Sequence, residues 1–206
     1  MQICGVDDAG RGSMLGPLVI AGISIEKTKL RKLSALGVKD SKKLTPINRK
    51  KLYKKIIALV DAYYVTKISP RSIDSSVKNH GLNLLEAKYM AKVVSKLDSD
   101  TSFVDSCDVN PKRFGKEISK LSNNKKIRSY HHADSKYVVV SAASILAKVT
   151  RDKAIERLKK NHDVGSGYPS DRKTINFVKK YYQSEKTLPN FVRKSWKPTQ
   201  KIILEN

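Results

Sequence analysis

The sequence predicts an α/β fold in which helices flank a mixed β-sheet. Two apolar runs, at residues 2–6 and 18–25, predict strands joined through a glycine-rich connection, which suggests an opening hairpin. After this pair, strand-like segments alternate with helical patterns, as they do in α/β proteins. The segment after about Gly165 is polar and rich in tyrosine, and predicts a small helical C-terminal extension packed on the main domain.

The predicted elements of the first half begin with the connection at residues 8–16. It contains three glycines and precedes Pro17, and therefore predicts a turn or loop. Thr45 and Pro46 predict the cap and the first residue of a helix, because proline fits the first helical turn. Residues 62–68 then predict a strand. The next helix is predicted by a stripe of apolar side chains at helical spacing: Leu82, Leu85, Tyr89, Val93 and Leu97.

The second half is predicted to contain one more strand and two helices. Residues 102–104 form a short apolar strand that ends at Asp105, which repeats the pattern of the first strand. A long helix is predicted from residue 138 to about residue 160. Ser170 is predicted to cap a last helix that continues through Tyr182.

The chain is strongly basic, because 42 Lys and Arg residues against 19 Asp and Glu residues give a net charge of +23. An excess of this size attracts polyanions and suits the phosphate backbone of nucleic acid. The alternative is a merely solvated surface, since lysine-rich faces also keep proteins soluble. A membrane surface is less favoured, because there is no strongly amphipathic terminal helix or lipidation motif. Charge therefore favours a nucleic-acid partner without specifying a reaction.

Length and composition predict one domain over residues 1–206, with a core at about 1–164 and the extension at about 165–206. Two acids already stand at positions 7 and 8, which leaves no room for a signal peptide, and no apolar run is long enough to span a membrane. Cys4 and Cys107 stand in apolar stretches and lack metal-ligand spacing, which predicts buried, reduced thiols rather than a zinc site. These features predict a soluble, cytoplasmic protein.

Acidic side chains stand where the predicted apolar strands stop: Asp7 and Asp8 after the first strand, and Asp105 after a later one. In α/β sheets, functional sites form at strand ends. Clustered carboxylates repel one another unless a cation neutralises them, and their oxygen ligands suit Mg²⁺ or Mn²⁺. The alternative is that Asp7 and Asp8 cap a turn beside Gly10, and that Asp105 caps the loop before Asn110. Spacing alone leaves both interpretations open.

Five stretches, in order along the chain, resemble the signatures of the type 2 ribonuclease H family, in its archaeal form. They are Asp7-Asp8-Ala9-Gly10-Arg11-Gly12 with Gly16-Pro17; Asp40-Ser41-Lys42-Lys43-Leu44; Val104-Asp105-Ser106; the run from Ala133-Asp134 through Lys136-Tyr137 and Ser141-Ala142-Ala143-Ser144 to Lys148 and Arg151-Asp152; and Gly167-Tyr168-Pro169-Ser170-Asp171. Ser195-Trp196 resembles the family's C-terminal element. The ordered set is far more specific than any one of its members.

The resemblance implies a ribonuclease H-like sheet and an endoribonuclease that acts on two kinds of duplex. It would cut the RNA strand of RNA–DNA hybrids and nick duplex DNA on the 5′ side of embedded ribonucleotides. The family's catalytic acids map onto Asp7, Asp8, Asp105 and Asp134, and the first three of these would ligate metal. Two Mg²⁺ or Mn²⁺ ions would take part, and a water would attack the phosphodiester to leave 5′-phosphate and 3′-hydroxyl ends.

The resemblance also implies a set of substrate contacts. The loop Gly10-Arg11-Gly12 would read the ribose 2′-hydroxyl, because glycines let backbone approach a ligand closely. Tyr168 would stack on the sugar that follows the ribonucleotide. Contacts to phosphates are expected from Ser41, Lys42, Lys43, Lys148 and Arg151. His131 and His132 could suggest metal binding or acid–base chemistry, but neighbours on a strand would point to opposite faces and would not share a metal. They are interpreted as structural or close to DNA, with catalysis as the less favoured alternative.

One position departs from the family pattern, because the second acid is usually glutamate and is Asp8 here. Its side chain is one methylene shorter, which costs about 1.5 Å of reach. The departure predicts a shifted metal preference, with Mn²⁺ favoured over Mg²⁺, or a weaker second metal site. It also leaves open a hybrid- or duplex-binding protein with weakened catalysis. A basic structural protein of a ribonucleoprotein would explain the charge but not the acids at strand ends.

The predicted partners are RNA–DNA hybrid and ribonucleotide-containing duplex DNA. Nothing in the sequence requires more than a monomer, and the basic surface disfavours self-association. The sequence leaves open whether the tail beyond Trp196 binds a replication clamp.

Overall fold

The computed structural model describes residues 1–38 and 45–205. Its strands are β1 (Gln2–Ala9), β2 (Leu18–Glu26), β3 (Ala62–Ile68), β4 (Thr101–Asp105) and β5 (Ile127–Tyr130). Its α-helices are α1 (Leu30–Ala35), α2 (Pro46–Leu59), α3 (Pro70–Lys78), α4 (Leu82–Lys96), α5 (Pro111–Leu121), α6 (Ala133–Lys136), α7 (Val138–Lys159), α8 (Arg172–Glu185) and α9 (Lys197–Leu204). A short 3₁₀ helix, Lys27–Lys29, precedes α1.

The strands form one mixed sheet in the order β3-β2-β1-β4-β5. The first strand, β1, pairs antiparallel with β2, so that Gln2 lies opposite Glu26 and Ala9 opposite Val19. On its other side β1 pairs parallel with β4, which in turn pairs parallel with β5. The predicted α/β class and mixed sheet are confirmed.

Helices cover both faces of the central strands, which explains why β1 and β2 read as nearly continuous apolar runs. Two glycines show how closely these helices approach. A Cβ atom on Gly5 would overlap the backbone of Val139 in α7. A Cβ atom on Gly22 would lie 2.5 Å from Cγ1 of Val93 in α4. Because Gly22 lies opposite Val6, the neighbour of Gly5, the two glycines face opposite sides of the sheet, and so do α7 and α4.

Helix starts follow the predicted signals in one case and shift by one residue in another. Thr45 caps α2, because its hydroxyl accepts a hydrogen bond from the Asn48 amide at 3.3 Å. The cap of α8 is Asp171 and not Ser170, since the Asp171 carboxylate accepts from the Lys173 amide at 2.9 Å. The prediction that α8 is the last helix is wrong, because α9 follows it.

Several elements were not predicted from the sequence, although α3 and α5 each have an apolar face at helical spacing. These elements are α1, α3, α5, β5, α6 and α9. The buried face of α4 also differs from the predicted stripe, since it includes the small or flexible side chains of Ala87, Met90 and Ala91 together with Val93. The predicted thiols are Cys4, which is buried, and Cys107, which is only half-buried. Burial raises the pKa of Cys4 to about 12, so this thiol stays protonated.

The chain divides into two compact units. The first comprises Met1–Ala9, Val19–Thr66 and Asn83–Val149, and its core lies between the sheet and helices including α7. The second comprises Gly10–Leu18, Lys67–Leu82 and Thr150–Asn206, with its own apolar cluster around Met14, Leu15 and Ile155. The residues at 165–206, predicted to be an extension, belong to this second unit. The division into a core and an extension of one domain stays a prediction. No helix in the described part of the chain has the length and apolar character needed to cross a membrane.

The close approach of β1 to α7 makes a testable prediction. We expect Gly5→Ala to lower the free energy of unfolding by about 3 kcal/mol, because the added methyl group has to displace helix backbone rather than a flexible side chain. Urea denaturation followed by circular dichroism measures the change. Gly12→Ala is the matched control, since no atom lies within 4 Å of its added Cβ atom. Equal stabilities of the two variants would contradict the close contact.

Candidate active site

The first unit brings Asp7 and Asp105 to the same end of neighbouring strands. Val6 of β1 lies opposite Val104 of β4 in the parallel register, so the residues that follow, Asp7 and Asp105, are neighbours. Asp7 and Asp8 lie within β1, which extends to Ala9, and so the strand does not stop before them as the sequence predicted. Side chains alternate along a strand, and therefore Asp7 faces the α7 side of the sheet while Asp8 faces the other side.

Asp134 is brought to the same end of the sheet by a hydrogen bond that begins α6. The last strand, β5, pairs with β4 so that Tyr130 lies opposite Asp105. The chain then turns, and the amide of Ala133 donates to Oδ1 of Asp105 at 2.5 Å. Asp134 is the next residue and is 8% exposed. The predicted acids therefore come from β1, β4 and α6, which meet at one end of the sheet.

The electrostatics of Asp7 reflect this crowding. Asp7 is buried, and its pKa is raised well above the ordinary range, first by burial and then by the negative charges of Asp8 and Asp105. The hydroxyl of Ser144 on α7 and the amide of Asp8, which donates to Oδ1 of Asp7 at 2.7 Å, lower the pKa in part. The cluster is thus a place where negative charge is unfavourable until a cation offsets it.

The donor chemistry of this cluster fits a hard divalent cation. Its oxygen donors are carboxylates, which are the ligands that Mg²⁺ and Mn²⁺ prefer. Across residues 1–38 and 45–205, however, no three His, Cys, Asp or Glu side chains are already gathered in a group that could hold an ion. The described side chains therefore supply the charge and the donor type for a metal, and the coordination itself stays a prediction.

The alternative interpretation, in which the acids only cap turns, does not fit Asp7 and Asp8. Asp7 and Asp8 lie in a paired strand rather than in a turn. The cap of the helix after β4 is Asn110, whose side-chain oxygen accepts from the Arg113 amide at 3.0 Å. The loop before that helix is stabilised by Asp108, which accepts from Arg113 at 2.6 Å; this contact lowers the pKa of Asp108.

The two histidines lie in a turn, so the premise that they occupy a strand is wrong. The strand β5 ends at Tyr130, and His132 has a left-handed backbone with φ of 55°. Nε2 of His131 lies 2.7 Å from the carbonyl oxygen of Asp108. This contact supports the structural interpretation of His131.

The glycine loop that follows β1 in the sequence belongs to the second unit. Gly10 has φ of +88°, a conformation that residues with a side chain rarely adopt. Its carbonyl oxygen accepts hydrogen bonds from the amide and the hydroxyl of Ser13, at 3.2 and 2.8 Å. Gly12 is exposed, and a Cβ atom there would meet open space. The loop is therefore fixed at Gly10 and accessible at Gly12.

Tyr168 lies beside Arg151 in the second unit. The Arg151 guanidinium carbon is 4.3 Å from the centre of the Tyr168 ring, and Nη2 donates to the carbonyl of Ser166 at 2.6 Å. Arg151 is only 5% exposed, and burial lowers its pKa. These contacts favour a role in supporting the Tyr168 loop over direct contact with a phosphate, which nevertheless stays a prediction for Arg151.

Of the other residues predicted to contact phosphates, only Lys148 lies among the described residues. Lys148 is half-buried on α7 in the first unit. Ser41, Lys42 and Lys43 lie outside the described residues, and their predicted contacts to phosphates stay predictions.

Sequence reasoning missed two residues that shape these loops. Asp171 accepts from the amide of Ser166 at 2.6 Å while it caps α8. Arg193 is completely buried and donates to carbonyls of the glycine loop. Asp171 stands in a recognisable motif, whereas Arg193 is one of 42 basic residues and carries no local signal apart from its nearness to Ser195-Trp196.

Comparisons with known proteins agree with this arrangement. The family described as ribonuclease HII matches residues 4–199. A ribonuclease HII from Cenarchaeum symbiosum is 55% identical over 98% of each chain.

Two solved structures are also similar. The crystal structure of ribonuclease H2 from Pyrococcus horikoshii has a TM-score of 0.93 and 42% identity, covering 100% of this chain and 98% of the other. The ribonuclease HII in a PCNA complex from Archaeoglobus fulgidus has a TM-score of 0.89 and 37% identity, covering 97% of this chain and 96% of the other. The match over nearly the whole chain shows that the chain belongs to the ribonuclease HII family.

Proposed function

We propose that this protein hydrolyses the RNA strand of RNA–DNA hybrids and nicks duplex DNA on the 5′ side of embedded ribonucleotides. As a member of the ribonuclease HII family, it is a metal-dependent endoribonuclease. The observation that carries the proposal is that β1, β4 and α6, the elements with Asp7, Asp105 and Asp134, come together at one end of the sheet.

The proposed catalytic acids are Asp7, Asp8, Asp105 and Asp134, and the first three are the proposed metal ligands. Two divalent ions, Mg²⁺ or Mn²⁺, would supply activation of a water and neutralisation of the negative charge that develops on the phosphodiester. The chain's own residues hold the oxygen donors in place. The strand pairing fixes Asp7 beside Asp105, and the Ala133 amide orients the Asp105 carboxylate through Oδ1. Asp134 completes the set from the start of α6.

We assign recognition of the ribose to the loop Gly10-Arg11-Gly12. The 2′-hydroxyl distinguishes RNA from DNA, and it can accept a hydrogen bond from a backbone amide. The exposure of Gly12 supports this assignment, because backbone at that position is open to a ligand. Tyr168 is the proposed stacking partner for the next sugar, with Arg151 beneath its ring.

The short acid at position 8 bears on the choice of metal. The pleat of β1 turns Asp8 to the face opposite Asp7, so an Asp8 ligand has to reach around the strand end. An aspartate reaches less far than the family's glutamate. We therefore propose that this protein prefers Mn²⁺ over Mg²⁺.

A replication clamp is a second proposed partner. The relative from Archaeoglobus fulgidus is described in complex with PCNA, and this chain matches it over 97% of its length. Size-exclusion chromatography of the protein, alone and mixed with an archaeal clamp, tests the association. The same experiment tests the proposed monomer, because it gives the mass of the free protein.

The central prediction is metal-dependent nicking of a duplex that carries a single ribonucleotide. We expect cleavage on the 5′ side of the ribonucleotide in Mg²⁺ or Mn²⁺ and none in EDTA, resolved on a denaturing gel. Asp105→Asn should bind the duplex without cutting it, because the amide keeps the oxygen that accepts from Ala133 but loses the charge. Binding by the wild-type protein without a nick in either metal would contradict the enzyme and favour a duplex-binding protein.

The second prediction concerns Asp8. We expect Asp8→Glu to keep or raise Mg²⁺-dependent cleavage and to lower the ratio of Mn²⁺ to Mg²⁺ activity, because the added methylene restores reach. Initial rates in a titration of each metal measure both effects. A collapse of activity would show that the site is built around the shorter acid.

The third prediction uses the raised pKa of Asp7. The folded protein binds a proton at Asp7 more tightly than the unfolded chain does. Metal-free protein should therefore lose stability as the pH rises from the ordinary carboxyl pKa, 3.8, towards the raised pKa of Asp7. Asp7→Asn removes the buried charge. We therefore expect it to raise the free energy of unfolding at pH 7 by about 0.5–2 kcal/mol and to flatten this pH dependence.

Urea denaturation of metal-free protein between pH 4 and pH 8 measures both properties. Asp98→Asn is the control, because Lys125 lowers the pKa of this exposed carboxylate and its replacement should not stabilise the protein. An Asp7→Asn variant that is no more stable than the wild type at pH 7 would contradict the proposed cost of the buried charge.

A further inference from the structure

The C-terminal segment of the second unit contains an arginine that no part of the proposed mechanism uses. Arg193 is completely buried. Its guanidinium donates to three carbonyls of the glycine loop: Nη2 to Gly10 at 2.7 Å, Nη1 to Arg11 at 2.7 Å and Nε to Gly16 at 3.2 Å. Burial of a cation is costly unless hydrogen bonds compensate it, and here the acceptors are backbone atoms 177 to 183 residues away in sequence.

These contacts also determine the direction in which backbone amides of the loop point. In a planar trans peptide, the carbonyl and the amide of the next residue point in opposite directions. Because the carbonyls of Gly10 and Arg11 point to Arg193, the amides of Arg11 and Gly12 point away from it. Two successive amides directed the same way form a typical anion- or oxygen-binding arrangement. Arg193 therefore fixes the direction of the Arg11 and Gly12 amides.

The guanidinium is itself held in place. The Arg193 amide donates to the carbonyl of Met14 at 2.8 Å, and Leu15 pairs with Val192 in an isolated β-bridge. The ring of Trp196 lies over the guanidinium, with 5.0 Å between the Arg193 Cζ atom and the ring centre. Arg193 thus has little freedom to leave the loop carbonyls.

Asp74 of α3 holds the segment that follows. Its carboxylate accepts from the amides of Lys194 and Ser195, at 3.0 and 2.9 Å, and from the Ser195 hydroxyl at 2.6 Å. A chain of contacts therefore runs from α3 through residues 194–195 and Arg193 to the loop, all within the second unit.

We propose that Arg193 is a positioning residue for the discrimination of ribose from deoxyribose, acting through the amides of Arg11 and Gly12. The proposal rests on the proposed function, in which this loop reads the 2′-hydroxyl. A planar guanidinium is required because it donates to several carbonyls at once, whereas a lysine ammonium acts as a single compact charge. Arg193→Lys keeps the charge and loses the fork.

The test measures binding of two duplexes that differ only in one sugar. Fluorescence anisotropy in EDTA gives the dissociation constants for a duplex with a single ribonucleotide and for the same duplex made wholly of DNA. The dissociation constant for the all-DNA duplex divided by that for the ribonucleotide duplex reports ribose discrimination without cleavage. We expect Arg193→Lys to reduce this ratio by about tenfold, the size of one well-placed hydrogen bond. Affinity for the all-DNA duplex should stay unchanged, since net charge is preserved.

Three variants make the result specific. Arg157→Lys carries the same chemical change on an exposed face of α7 and should leave the ratio unchanged. Gly12→Ala tests the loop itself, because its methyl group meets open space in the protein and would obstruct only a bound ligand. Asp74→Asn loosens the supporting segment, should lower the ratio by a smaller factor, and provides the measurement if Arg193→Lys does not fold, as judged by thermal denaturation.

The outcomes separate the two proposals. A lower ratio in both Arg193→Lys and Gly12→Ala supports the positioning role. A lower ratio in Gly12→Ala alone, with Arg193→Lys and Asp74→Asn unchanged, overturns the role of Arg193 and leaves the loop's function in place. An unchanged ratio in every variant overturns ribose recognition by the loop, and the role of Arg193 with it. A loss of stability in Arg193→Lys with an unchanged ratio shows a purely structural residue.

Discussion

The parallel register between β1 and β4 is the constraint on which the acidic site depends. Placing Val6 opposite Val104 makes Asp7 and Asp105 neighbours, whatever the cost in repulsion between them. Burial first, and then the negative charges of Asp8 and Asp105, raise the pKa of Asp7. The strand β1 keeps its position despite this repulsion because it is hydrogen-bonded on both edges, to β2 and to β4. It also packs so closely against α7 that there is no room for a side chain at Gly5. A looser strand could separate the carboxylates, and a strand slipped by one residue would turn Asp7 away from Asp105.

Asp105 has a second role that ties the fold to the site. Its carboxylate accepts from the Ala133 amide across 28 residues of sequence, and this contact fixes the start of a helix of only four residues. So short a helix has little stability of its own. The position of Asp134, the second residue of this helix, therefore depends on the Asp105 carboxylate.

The sequence predicted the parts of the fold and site that are encoded locally. Patterns only a few residues long predicted the apolar strands β1 and β2 and the helix start at Thr45-Pro46. Such patterns also pointed to the acids of β1 and β4. The strand β5 was missed because Ile127–Tyr130 is mostly polar and is a strand through its pairing with β4. The sequence pointed to Asp7 and Asp105, but the fact that they are neighbours depends on a strand register that no local pattern specifies.

Distant contacts explain the rest of what sequence reasoning could not find. The motifs pointed to Gly10-Arg11-Gly12, yet the loop's geometry depends on Arg193, which is indistinguishable by composition from the surface cations around it. Arg151 is a second example. Its motif predicts contact with a phosphate, but no local pattern showed its burial beside Tyr168 or its hydrogen bond to the Ser166 carbonyl.

Arg193 and Arg151, both buried in the second unit, act on the backbone in the same way. Each donates to the carbonyl of a loop that is proposed to contact the sugar, Arg193 at Gly10 and Arg151 at Ser166. Recognition through backbone amides has no side chain that can be tuned, so its selectivity depends on what orients the peptide groups. A guanidinium is suited to that task because its rigid fork fixes more than one carbonyl and stays charged when buried. Strand register thus positions the carboxylates of the first unit, whereas buried guanidinium groups orient the peptide groups of the second unit.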